Sequence, residues 1–96
     1  MKLVGAQIIV AAQSKHADAR AYLAAWVAEV KAAAWSTPNE VRERYGTVDF
    51  VGDRAVFNVR GNRYRLIAKI NFAGGVVQVR WFGTHAEYDR INVEEV

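Results

Sequence analysis

Three glycine-containing pairs punctuate the second half of this chain: Gly52-Asp53, Gly61-Asn62 and Gly74-Gly75. Between and around them the residues alternate apolar and polar, over 48–51, 54–60, 63–73 and 76–84. A period of two places alternate side chains on opposite faces of a strand. A two-residue link rich in Gly, Asn or Asp suits a tight hairpin. The pattern therefore predicts a four-stranded antiparallel meander.

The first half follows a helical period instead. Tyr22, Leu23, Trp26, Val27, Val30, Ala33 and Ala34 recur at three- and four-residue spacing, and alanine fills the gaps. This predicts an amphipathic helix over 17–34. Thr37-Pro38-Asn39-Glu40 supplies a cap, a proline for the first helical position and a glutamate for the third; with Gly46 as a stop, 38–45 reads as a short helix. Residues 5–14 mix Ile8-Ile9-Val10 with alanines and favour a helix over a strand, whereas Met1 to Val4 suits either an edge strand or the approach to that helix. Thr84-His85-Ala86-Glu87 is a second capping box, and it starts a last short helix at His85. The expected architecture is α+β, with helices packed on one face of an antiparallel sheet in a single domain spanning 1–96.

If each hairpin has two turn residues, the pairing can be calculated. Arg60 then faces Arg63, Asn58 faces Arg65, Val56 faces Ile67 and Arg54 faces Lys69. Across the next turn Lys69 faces Arg80, Asn71 faces Gln78 and Arg65 faces Thr84. Opposed residues share a face. One face thus collects Arg54, Asn58, Arg60, Arg63, Arg65, Lys69, Asn71, Gln78, Arg80 and Thr84. The other takes Phe57, Val59, Tyr64, Leu66, Ile70, Val77, Val79 and Trp81, joined by Val48 and Phe50, and needs the helices as cover. Trp26 and Trp81 are expected in the core, and Trp35 is expected partly exposed.

Charge follows the same division. The formal net charge is +3. Acids and bases balance up to Asp53, but from Arg54 to Ala86 there are bases (Arg54, Arg60, Arg63, Arg65, Lys69 and Arg80) and no acid. A wet sheet face ordinarily mixes signs. Opposed like charges cost a few tenths of a kcal/mol or more, so the block points to an anionic ligand rather than to solubility alone. A one-residue bulge would alter this face.

Other chemistry is constrained by what is scarce. There are no cysteines, which excludes thiolate zinc sites and Cys nucleophiles, and His16 and His85 are too few for a His-rich metal site. No metal or other cofactor is expected. No phosphate loop of P-loop spacing is present. Lys2 followed by the apolar stretch to Ala12 resembles a short secretory signal, but Gln7 interrupts it, and the expected location is the cytoplasm. No apolar run approaches the ~20 residues of a membrane span. His85 and Tyr88, at i and i+3, share a helical face with Asp89. They suit proton transfer, or equally an exposed loop residue and a ring packed on the sheet. His16 reads as a solvated turn residue.

The run from Val56 to Ile70, Val-Phe-Asn-Val-Arg-Gly-Asn-Arg-Tyr-Arg-Leu-Ile-Ala-Lys-Ile, followed by Gly-Thr-His-Ala-Glu-Tyr-Asp at 83–89, closely resembles the HigB toxins of the RelE/ParE superfamily. The resemblance extends from about Ala17 to Asn92. It implies the toxin of a bacterial type II toxin–antitoxin system, acting as a metal-independent endoribonuclease on messenger RNA at the translating ribosome. It also implies neutralisation by a HigA-type antitoxin, a helix-turn-helix protein through which the pair reaches operator DNA. In such an enzyme Arg65 would clamp the phosphate with Lys69 and Arg80 beside it. His85 would be acid or base, and Tyr88 would share that role or stack on a base. Arg54, Asn58, Arg60, Asn62 and Arg63 would hold RNA phosphates. The alternatives are a ParE-like gyrase inhibitor and a non-catalytic RNA-binding module.

Overall fold

Both periodicities become structure in a computed structural model that describes residues 1–96. The order is β1 (Lys2–Val4), α1 (Ala6–Lys15), α2 (Arg20–Ala32), α3 (Pro38–Arg44), β2 (Asp49–Val51), β3 (Arg54–Val59), β4 (Tyr64–Asn71), β5 (Val76–Thr84) and α4 (His85–Tyr88). Single 3₁₀ turns lie at Ala17–Ala19 and Val93–Glu95. The caps are those the sequence announced. The Thr37 hydroxyl accepts from Glu40 N–H with Pro38 in the first turn, and Thr84 and Glu87 form a reciprocal capping box.

The sheet has five strands in the order β1-β5-β4-β3-β2, not four. β1 runs parallel to β5, with Leu3 opposite Val77, so the sheet is mixed. The chain leaves β1 through Gly5, at φ 83°, where a Cβ would stand 2.6 Å from the Val79 carbonyl oxygen. Only glycine adopts that conformation at that distance without strain, and the turn sends α1 straight back over β5.

The helices cover one sheet face. Ile9 and Ala12 of α1, Leu23, Trp26 and Val30 of α2, and Val41 of α3 are buried against Ala55, Phe57, Val59, Leu66, Ala68, Ile70, Val77 and Val79. Trp26 meets Phe57 edge-on at 5.4 Å between ring centroids. Each large side chain so buried contributes about 1.5–3 kcal/mol.

The β3–β4 register is as calculated: Arg54 faces Lys69, Val56 faces Ile67 and Asn58 faces Arg65. Its ladder ends at Val59 opposite Tyr64, so Arg60 and Arg63 sit in the turn and not in a ladder pair. The β4–β5 register differs. Residues 72–75 all belong to the connection, so Lys69 faces Gln78 instead of Arg80, and Asn71 faces Val76 instead of Gln78. A bulge then shifts the pairing between Ile67 and Ala68. Beyond it Ile67 faces Trp81, Leu66 faces Phe82, and Arg65 faces Gly83 instead of Thr84.

The extra residue inverts which side chains point inward. Phe82 joins the helix-covered side, packed against Tyr64 at 5.4 Å and near His16 at 5.8 Å. Trp81 leaves the core and stands half-buried on the opposite face, paired with Ile67. Trp35, expected partly exposed, is buried instead and meets Tyr45 edge-on. His16 is likewise no free turn residue, because its ring lies 4.7 Å from that of Tyr64.

Candidate active site on the second sheet face

The face away from the helices carries the candidate residues, and α4 projects over its upper end. No loop separates α4 from β5, since Thr84 ends the strand and caps the helix. Glu87 N–H donates to the Thr84 hydroxyl at 3.1 Å, and Thr84 N–H donates to the Glu87 carboxylate at 2.8 Å. Those bonds hold the Glu87 carboxyl below its ordinary range. His85 N–H donates to the Arg63 carbonyl at 2.9 Å and pins the helix to the β3–β4 turn.

This placement brings Tyr88 over Arg65, whose guanidinium carbon lies 5.7 Å from the ring centroid. Arg65 is the one charged side chain among the buried residues, at 9% exposure. Its Nη1 donates to the Tyr64 carbonyl at 3.1 Å and its Nη2 to Asn62 Oδ1 at 3.4 Å. No carboxylate lies within ion-pair distance of it, although Arg44, Arg54, Arg63 and Lys69 all have one. A guanidinium does not shed its proton. Arg65 is therefore a buried positive charge that lacks a counter-ion, in surroundings that strengthen its pull on an anion. Asn58 sits directly opposite it.

His85 is half-exposed, and its Nδ1 stands 3.2 Å from Asp89 Oδ2. A carboxylate on Nδ1 fixes the ring and leaves Nε2 as the nitrogen without a protein partner. Trp81 completes the upper site, its ring 6.3 Å from that of Tyr88. Sequence reasoning missed Trp81, because nothing in a period-two pattern marks the position of a bulge.

The lower half of the face is less bare than expected. Asp53, in the β2–β3 turn, pairs with Arg54 at 2.5 Å and with Lys69 at 3.6 Å. The Val96 carbonyl accepts from Arg54 Nε and Nη2, at 3.1 and 2.9 Å, and from Arg80 Nε at 3.2 Å. The segment after α4 thus returns across this face, where Val56 and Ile67 are 3% and 0% exposed. Arg63 turns away toward the helical layer and meets Asp18 at 2.8 Å, which also accepts from the Tyr64 hydroxyl at 2.6 Å. The tyrosine bond and then the Arg63 bond hold Asp18 below the usual carboxylate range. Arg60 is exposed in the turn at φ 55°. The candidates therefore divide. Arg65, Asn58, Asn62 and Tyr88 converge on one place, with His85 on the same short helix. Arg54, Lys69 and Arg80 form a second, engaged group. Arg60 and Arg63 stand apart from both.

A family model described as the HigB toxin, a RelE-like toxic component of a toxin–antitoxin system, matches residues 19–91. The chain belongs to the HigB toxin family. The matched region runs from the start of α2 through α4 and includes the whole Arg65–Tyr88 site, whereas β1, α1 and the final residues of the returning segment lie outside it. Among curated proteins, the mRNA interferase HigB of Escherichia coli O6:H1 is 37% identical over 65 residues, which is 65% of this chain and 63% of that protein. The alignment spans less than two-thirds of that relative's length. No helix here is long and apolar enough to cross a membrane.

Proposed function

We propose that this HigB-family toxin is an mRNA interferase that cuts messages on the translating ribosome in the cytoplasm. The observation that carries this reading is Arg65, a buried guanidinium without a carboxylate partner, set against Tyr88 and one strand away from the helix that bears His85. The name of the aligned relative, mRNA interferase, supports it.

The reaction asks little of the protein beyond placement, positive charge and proton transfer. The RNA 2′-hydroxyl oxygen attacks the adjacent phosphorus in line, and its proton passes to a base. The bond from phosphorus to the 5′ oxygen breaks, and an acid returns a proton to that oxygen. The products are a cyclic phosphate and a free 5′-hydroxyl. Arg65 would hold the non-bridging oxygens through two donors. His85, oriented by Asp89, would serve as acid or base, and Tyr88 would act as its partner or lie against a base. Asn58 and Asn62 would position the backbone. Lys69, Arg54 and Arg80 would add charge below, and Arg60 and Arg63 would contact phosphates at the rim. No metal enters the scheme. A HigA-type antitoxin with a helix-turn-helix would neutralise the toxin and carry the pair to operator DNA.

The test is expression in a bacterium with mapping of message 5′ ends. Codon-associated cuts that vanish in Arg65→Ala and His85→Ala are the expected result. Growth arrest with intact messages and altered DNA topology would overturn it in favour of gyrase inhibition, and absence of toxicity would favour a plain binding module.

A further inference from the structure

The chain has three tryptophans. Trp26 and Trp35 are buried at 1% and 9% exposure, and Trp81 alone is not. The bulge that carries Trp81 out of the core sets it on the face of Arg65. Its indole lies against the backbone of Gly83, where a Cβ would overlap the ring. Gly83 is the cross-strand partner of Arg65, so the indole covers the strand position directly across from Arg65. On its other side stands Tyr88, 6.3 Å away with the planes inclined at 51°. A large, half-exposed aromatic beside an unpaired buried cation offers a ligand two attractions at once. The cation takes a phosphate, and the ring takes any flat apolar surface attached to it. A nucleotide supplies both, since every base has a π-face and stacking is tolerant of sequence.

We propose that Trp81 is a stacking platform for the nucleobase adjoining the phosphate on Arg65, and that Gly83 is the positioning residue that gives the indole its place. This rests on the nuclease reading for the phosphate at Arg65. The competing role for Trp81 is a lid over its buried partner Ile67. Two substitutions separate these roles. Trp81→Phe keeps a ring, and Trp81→Leu keeps apolar cover without one.

The experiment titrates the protein at low salt with a short 2′-O-methyl RNA, which has no free nucleophile and cannot be cleaved. Tryptophan emission is followed, and cleavage by the same variants is mapped in cells. Emission of the wild type is expected to be quenched by the RNA and unaffected by an analogue lacking the base. Trp81→Phe, with a smaller ring, should bind and cleave less well than wild type but better than Trp81→Leu. Trp81→Leu should keep its melting temperature, lose the quenching, and bind and cleave about tenfold less well or worse. Gly83→Ala, which displaces the indole, should behave like Trp81→Leu. Undiminished binding and cleavage in Trp81→Leu, or quenching that survives it, overturns the platform and leaves the nuclease standing. Quenching that depends on Trp81 in a wild type that cuts no message supports the platform and refutes the nuclease.

Discussion

Arg65→Met separates what this arginine contributes to the fold from what it offers a ligand. Methionine keeps an unbranched stem of similar reach and removes the charge. Withdrawing a guanidinium from water costs several kcal/mol even after relaxation. Against that cost stand three contacts. The hydrogen bond to the Tyr64 carbonyl contributes about 1.5–3 kcal/mol, as bonds from charged donors do. The Tyr88 ring contributes about 0.5–2 kcal/mol. The 3.4 Å bond to Asn62 adds little, being at the long limit of the geometry. Cost and gain nearly cancel, so the expected change in stability is a loss of no more than about 1 kcal/mol or a modest gain. In a domain of this size that lowers the melting midpoint by no more than about 8 °C. The neighbouring Ile67→Ala, which opens a cavity at a site 0% exposed, should lose about 2–5 kcal/mol. Message cleavage by Arg65→Met should nevertheless fall by about 10²–10³. Urea and thermal melts by circular dichroism, read beside mapped cleavage, check both halves. A stability loss above about 3 kcal/mol would make Arg65 a structural residue first, and undiminished cleavage would remove it from the chemistry.

Four further outcomes are expected. Asp18 has a folded-state pKa below its unfolded value, so its contribution is present above the unfolded pKa and lost as pH falls through the folded one; urea midpoints taken from pH 6 downward to about 2 should therefore show a steeper acid decline in the wild type than in Asp18→Asn. Gly5→Ala combines a left-handed φ with a Cβ placed 2.6 Å from a carbonyl, and chemical denaturation should show a loss above about 1 kcal/mol. Thr84→Ala removes the α4 cap and should cost about 1 kcal/mol, with cleavage falling further than the fraction folded explains because Tyr88 loses its position. Affinity for RNA should fall steeply with salt, and the slope should flatten by about one for each phosphate contact deleted, as at Asn58-adjacent Arg65; binding that ignores salt would refute the electrostatic account.

How far the sequence could be read depended on where each signal resides. Thr37-Pro38 and Thr84-Glu87 carry their meaning within four residues, so both short helices were legible to within a residue of their starts. The β3–β4 register was legible because Gly61-Asn62 lies symmetrically between two strong alternations. The β4–β5 register was not, because Gly74-Gly75 supplies two flexible residues within a connection four residues long, and nothing local decides between the lengths. That connection shifts the pairing by two residues and leaves the faces unchanged; the misplacement of Trp81 and the missed inward Phe82 follow from the one-residue bulge, which no local residue marks. β1 has three residues and a parallel partner more than seventy positions away, which no periodicity can specify. At the site, Arg65 and Tyr88 were found together through family resemblance and register. The engagement of Arg54 and Lys69 by Asp53, and of Arg54 and Arg80 by the Val96 carbonyl, depends on a turn and a terminal segment whose path has no sequence period.

The bulge has a mechanical consequence as well. β5 has nine residues against eight in β4, and Arg80 is the one left without a partner in the ladder. A bulge bends its strand and tightens the local twist. Because α4 is joined to β5 without a hinge, β5 beyond residue 81 and α4 act as one lever with its fulcrum at Arg80, and Tyr88 rides at the far end. A small change of twist at the fulcrum becomes a larger displacement of the tyrosine over Arg65. Removing Arg80 would straighten the lever without exchanging the faces of Trp81 and Phe82, so the alignment of the upper site could be tuned by strand length alone while every side chain in it stayed the same.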